Sequence, residues 1–80
     1  MFMNYLVYVL YSKKLNRYYV GNTQNLEDRL QRHNTGGSKY TSRGIPWNLV
    51  RCFECSTRSE AVRLERQIKA RGINRYLEEN

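Results

Sequence analysis

Glu65 lies within a stretch whose apolar residues Ala61, Leu64 and Ile68 recur at helical spacing, so its carboxylate falls at the margin of the inward face. A carboxylate so placed is costly without a partner and must meet a cation, a metal ion or several donors. An earlier stretch repeats the pattern with basic groups. Leu26 and Leu30 set its inward stripe, and Arg29 and His33 fall on the same side. One outcome is an internal ion pair between Glu65 and Arg29. The other is a reactive site, because a guanidinium forks onto phosphate oxygens, an imidazole carries protons near neutral pH, and a carboxylate can bind a metal ion. Tyr8 shares a strand-like face with Leu6 and Leu10, and Tyr19 shares one with Arg17 and Gly21. Any one of the 7 tyrosines is ordinarily a packing residue with a satisfied hydroxyl, so the ordered set of Tyr8, Tyr19, Gly21, Arg29, His33 and Glu65 is what suggests chemistry.

The two cysteines, Cys52 and Cys55, invite a reading as zinc ligands or a redox pair. A structural zinc site needs about four ligands, and one distant histidine, His33, does not complete it. Both cysteines also sit in a strand-like segment, where their odd spacing sends them to opposite faces. They are read as ordinary strand residues.

The elements that would position these groups follow from local pattern. Tyr5–Tyr11 is aromatic and β-branched, Ser12–Asn16 is a polar turn, and Arg17–Gly21 returns as the second strand of a hairpin. Asn25 caps a helix from Leu26 to about Asn34, which Thr35-Gly36-Gly37 ends. Residues 35–46 form a Gly/Ser-rich basic loop holding Lys39, Tyr40 and Arg43, and Trp47–Cys55 is a third strand. Thr57-Arg58-Ser59-Glu60 is a capping box for a helix to about Arg71, broken at Gly72, and Asn74–Glu79 forms one more short helix. The order β-β-α-β-α-α predicts an α+β fold, a three-stranded, mainly antiparallel sheet flanked by helices.

Chain length and charge restrict what such a fold can do. Eighty residues suit one domain spanning 1–80, and folding at this size hides only about 60–65% of the unfolded chain's surface, so the working surface should be a shallow cleft. With 40% hydrophobic and 26% charged residues and no long apolar run, the chain reads as folded and not membrane-spanning. Met1–Tyr11 lacks a basic leader and a small-residue cleavage site, which favours a strand over a signal peptide and a cytoplasmic location. Fourteen Lys and Arg against 7 Asp and Glu leave a net charge of +7, for which a polyanion is the natural partner. No obligatory protein partner is inferred.

At these residues the sequence resembles the GIY-YIG endonucleases. Leu6-Val7-Tyr8 keeps the tyrosine of the first signature and replaces its leading Gly-Ile. Tyr19-Val20-Gly21 stands for the second, and Arg29, His33 and Glu65 follow at the family's positions. Lys39-Tyr40-Thr41, Pro46-Trp47 and Ser59-Glu60-Ala61 resemble its small single-domain subgroup. The resemblance implies a GIY-YIG-like fold and a metal-dependent endonuclease hydrolysing phosphodiester bonds, in DNA more than RNA. It also implies a site of Tyr8, Tyr19, Arg29, His33 and Glu65, with Glu65 the metal ligand and Asn74 the candidate for the family's late asparagine. One carboxylate suits a single divalent ion, Mg²⁺ or Mn²⁺, better than a two-metal cluster. In this reading Arg29 stabilises charge on the phosphate, and Tyr8 acts on the water once nearby positive charge lowers its pKa; Tyr19 and His33 orient groups or pass the proton. Arg32, Lys39, Tyr40 and Arg43 are the expected nucleic-acid contacts. Eighty residues leave no room for a separate reading domain, which favours recognition of nucleic-acid structure over sequence, as in repair or recombination. Two other readings stand beside this one, a silent nucleic-acid-binding module that retains the fold and an interaction domain with an internal salt-bridge network.

Overall fold

The computed structural model describes residues 4–37 and 39–80; Met1–Met3 of the expected leader-free start and Ser38 of the basic loop lie outside the described residues. Its elements are β1 (Tyr5–Ser12), β2 (Arg17–Thr23), α1 (Leu26–Asn34), a short 3₁₀ turn (Ser42–Gly44), β3 (Trp47–Cys55), α2 (Arg58–Arg71) and α3 (Ile73–Glu79). The expected order β-β-α-β-α-α is the one observed. The strands run β2-β1-β3, both pairings antiparallel, so the first strand in sequence is the central one.

Hydrogen bonding on both edges, with helices or loop on both faces, leaves Val7, Tyr8, Val9 and Leu10 of β1 at 0–1% exposure. Alternation along β1 divides these four between two cores. Val7 and Val9 join Val20 and Cys55 beneath Ala61 and Ile68 of α2, with Ile73, Tyr76 and Leu77 of α3 alongside. Tyr8 and Leu10 point the other way, against Trp47, Tyr19, Ile45 and Leu26 and Leu30 of α1. The sheet is therefore the middle of three layers. Each large aliphatic side chain so buried contributes about 1.5–3 kcal/mol against conformational entropy.

The helix boundaries are set by the caps that the sequence carries. Asn25 Oδ1 accepts from the Asp28 amide at 3.0 Å, and Thr57 Oγ1 accepts from the Glu60 amide at 3.1 Å. The returning arm of the capping box differs from expectation, since Glu60 accepts from the Ser56 amide at 3.3 Å instead of the cap residue's own. Gly72, at φ 94°, separates α2 from α3. The turn Ser42–Gly44 falls in what the sequence reads as plain loop. Cys52 is exposed and Cys55 buried, on opposite faces as alternation requires, and desolvation raises both thiols above the ordinary range. Among the described residues no helix is long and apolar enough to cross a membrane.

Candidate active site

Pairing of β1 with β2 sets Tyr8 opposite Gly21. A phenol on a central strand can lie across its neighbour only where that neighbour has no side chain, and a Cβ on Gly21 would stand 2.6 Å from Tyr8 Oη. Glycine is needed here for close approach and not for backbone conformation. The phenol so placed meets His33 of α1, with Oη 3.1 Å from Nε2. Tyr19, two residues before Gly21, sets its ring centroid 4.9 Å from the imidazole and 6.3 Å from the Tyr8 ring.

His33 is 3% exposed, and its other nitrogen, Nδ1, lies 2.8 Å from Oγ1 of Thr41, which is fully buried. The two contacts are linked through the tautomer: when Nδ1 carries the proton and donates to Thr41, Nε2 is free to accept from Tyr8. Thr41 is held in turn by the Trp47 indole, whose Nε1 donates to the Thr41 carbonyl at 2.7 Å. Asn34 completes the frame. Its Oδ1 accepts from the Trp47 amide at 2.6 Å and its Nδ2 donates to the Trp47 carbonyl at 3.1 Å, tying the end of α1 to the start of β3. The basic loop between them is thereby pinned at both ends.

Burial, and then the Arg29 guanidinium, push His33 below the ordinary histidine range, so its imidazole is neutral at pH 7. Tyr8 departs from the expectation that neighbouring positive charge lowers it. Burial foremost, with Tyr19 next and Glu65 contributing, pushes the phenol up to about 12, and Arg29 beside it offsets this only in part. Desolvation wins because Tyr8 is 1% exposed. The phenol therefore keeps its proton at neutral pH.

Glu65 arrives from α2, the helix on the opposite face of the sheet, and reaches the outer edge of β2. There Asn22 Nδ2 donates to Oε1 at 2.6 Å, and Lys69 pairs with Oε2 at 2.7 Å. The internal Glu65–Arg29 pair that the sequence allowed does not form; Lys69, one turn on, is the nearer cation. Its ammonium marks this carboxylate oxygen as a place for positive charge. Among the described residues no group of three or more His, Cys, Asp or Glu gathers, and a single carboxylate fits an ion such as Mg²⁺ that retains most of its water.

Beyond Tyr19 a cleft of about 780 Å³ is lined by Lys39, Tyr40 and Arg43 from the loop and by Arg17 and Tyr18 from the hairpin. Tyr40 is 81% exposed, its ring 6.1 Å from that of Tyr19. A smaller cavity joins Tyr19 and Tyr40 to Lys69, and a third places Asn22 and Arg29 together, so Glu65's two partners each face one side of the site. Arg32 is exposed and does not line the cleft. Asn74 is engaged elsewhere: it accepts from Tyr18 and donates to Glu78, and its side chain makes no hydrogen bond to Glu65. Three contributors, Asn22, Lys69 and Thr41, were not among the site residues expected from the sequence. Alternation along β2 could have found Asn22, and helical spacing from Glu65 could have found Lys69. Thr41 belongs to the Lys39-Tyr40-Thr41 segment of the resemblance, but no periodicity in the loop directs its hydroxyl to His33.

The family model described as the GIY-YIG catalytic domain matches residues 4–76. A UPF0213 protein of Bacillus licheniformis is 40% identical over 67 residues, covering 76% of this chain and 67% of that protein. A UPF0213 protein of Halalkalibacterium halodurans is 35% identical over 68 residues, 84% and 71% of the two chains. The solution NMR structure of a UPF0213 protein from Bacillus halodurans superposes with a TM-score of 0.58 at 31% identity, over 95% of this chain and 81% of the other.

Proposed function

Because this chain belongs to the GIY-YIG catalytic-domain family, whose members act on nucleic acids as nucleases, we propose that it is an endonuclease that hydrolyses phosphodiester bonds in DNA with one divalent ion, selecting nucleic-acid structure over sequence. The reading rests most on one observation, the Tyr8 phenol bonded to a buried neutral imidazole at 3.1 Å. Glu65, with its metal-compatible oxygens, is near enough for its charge to contribute to raising the Tyr8 phenol, which supports placing both in one site.

A phenol pushed up to about 12 is a poor base by itself, but it can relay. As Tyr8 Oη takes a proton from the attacking water, its own proton passes to His33 Nε2. The imidazole accepts it in the tautomer whose Nδ1–H donates to Thr41. Water then attacks phosphorus as hydroxide, the P–O bond to the leaving oxygen breaks, and that oxygen takes a proton from solvent water while His33 releases the relayed proton back to solvent. Arg29 faces the charge that develops on the phosphate oxygens, and Tyr19 flanks the reacting phosphate. Glu65 would hold the metal ion in place of Lys69, with Asn22 fixing the carboxylate, and the bound ion would supply charge stabilisation for the phosphate. One carboxylate, already engaged by an ammonium, implies weak metal affinity until nucleic acid adds its own oxygens.

The test is Glu65→Gln, assayed on linear, single-stranded, flapped and branched nucleic acids with Mg²⁺, Mn²⁺ or EDTA. Cleavage should be lost while affinity stays equal or rises slightly. Folding should survive, because an i,i+4 pair with Lys69 at 56% exposure is worth only about 0.3–0.5 kcal/mol. A variant that cuts at the parent's rate in Mg²⁺ would remove the assignment.

A further inference from the structure

The side of α2 that turns away from the core carries cations that the site does not use. At about 100° per residue, Glu65 marks the boundary between the apolar stripe Ala61–Leu64–Ile68 and a basic arc. From Glu65 the arc passes Arg58, Lys69, Arg66 and Arg63 over about 160° before meeting its first acid, Glu60. Arg58, Arg63 and Arg66 are all exposed, and among the described residues none has an ion-pair partner, whereas Lys69 and Arg71 on the same helix are paired. The three guanidinium groups share a groove of about 480 Å³ floored by Val62. Arg58 also lines the cavity that holds Asn22 and Arg29, so the groove and that cavity meet at one guanidinium.

We propose that this arginine face of α2 is a second nucleic-acid-binding surface, carrying the backbone phosphates that leave the site on the side opposite the Lys39–Tyr40–Arg43 cleft. It rests on the nucleic-acid reading above and extends it. A strand whose phosphate lies between Arg29 and Glu65 must leave in two directions. One direction runs past Tyr19 and Lys69 to the loop cleft, and the other runs past Asn22 to Arg58. Like charges crowded on one arc without counter-charge repel one another, and a line of phosphates relieves that repulsion. Arginine forks also match phosphate geometry.

The experiment measures affinity against salt for labelled duplex DNA long enough to overhang the protein at both ends. It compares the parent, Arg58→Ala/Arg63→Ala/Arg66→Ala, the corresponding triple Lys variant and Lys39→Ala/Arg43→Ala. The triple Ala variant should lose at least about tenfold in affinity, with the log–log salt slope smaller by about two to three units, and the triple Lys variant should keep most of the slope. A triple Ala variant with the parent's slope, while Lys39→Ala/Arg43→Ala lowers it, would overturn the inference and leave the arginines to solvent or to an acidic protein. A parent that binds no nucleic acid would overturn the proposed function itself.

Discussion

Thr41 shows how much of the site depends on one buried hydroxyl. It has no part in the proposed reaction, but its hydrogen bond to Nδ1 decides whether Nε2 of His33 is free to accept a proton from Tyr8. Thr41→Val preserves shape and removes the bond, so kcat should fall roughly fivefold to tenfold, corresponding to about 1 kcal/mol, with KM little changed. Thr41→Ser should restore it. Nitrogen NMR of the imidazole provides the readout that packing loss alone would not move, since the Val variant should show a changed tautomer ratio. An unchanged kcat and an unchanged ring spectrum would return Thr41 to a packing role.

At the level of elements, the connection from α1 to β3 carries the loop proposed to meet nucleic acid and the threonine that sets His33. Its ends are fixed by the two Asn34 bonds to the Trp47 backbone and by the Trp47 indole on the Thr41 carbonyl. Asn34→Ala removes both side-chain bonds and leaves the Trp47 amide short of a partner in a part-buried setting. The cost should be about 1–3 kcal/mol. Hydrogen exchange should accelerate through residues 35–46 and at Trp47 while β1 stays protected, because β1 is paired on both edges. If exchange were to rise uniformly across the sheet, the loop would not be a separately anchored unit. Thermal denaturation of the same variant gives the stability loss.

For the whole molecule, the two shifted groups at the site define a pH window. His33 has a folded-state pKa below its unfolded value of 6.5, so the unfolded chain binds the extra proton in acid and stability is lost as pH falls below about 6.5. Tyr8 is raised from 10.0 to about 12, so between those values the unfolded chain has released a proton that the native state keeps, and stability is lost as pH rises. The contribution of these groups is therefore fully present between about pH 6.5 and 10. The midpoint Tm should decline on both sides of that window, and Tyr8→Phe should flatten the alkaline limb relative to the parent. Identical alkaline limbs in circular dichroism melts would show that Tyr8 is not the group responsible.

Much of this protein is local in origin, and that part was legible in the sequence. Strand alternation and helical periodicity are short-range, so they placed the hairpin, both long helices and their caps, sent Cys52 and Cys55 to opposite faces, and set Arg29 and His33 on the side of α1 that faces the sheet. The ordered tyrosines, Arg29, His33 and Glu65 carried the family. Tertiary structure decided what depends on residues distant in the chain. It made β1 the central strand, which splits its alternating residues between two cores and places α2 on the face opposite Tyr8. It gave Glu65 to Asn22 and Lys69 instead of Arg29, and it brought Thr41 from a loop without periodic signal onto His33. The protonation of Tyr8 was decided at the same level. Spacing could show that a guanidinium stands nearby, but the balance between that charge and desolvation is set by packing around the phenol, a property of the assembled core and not of any segment.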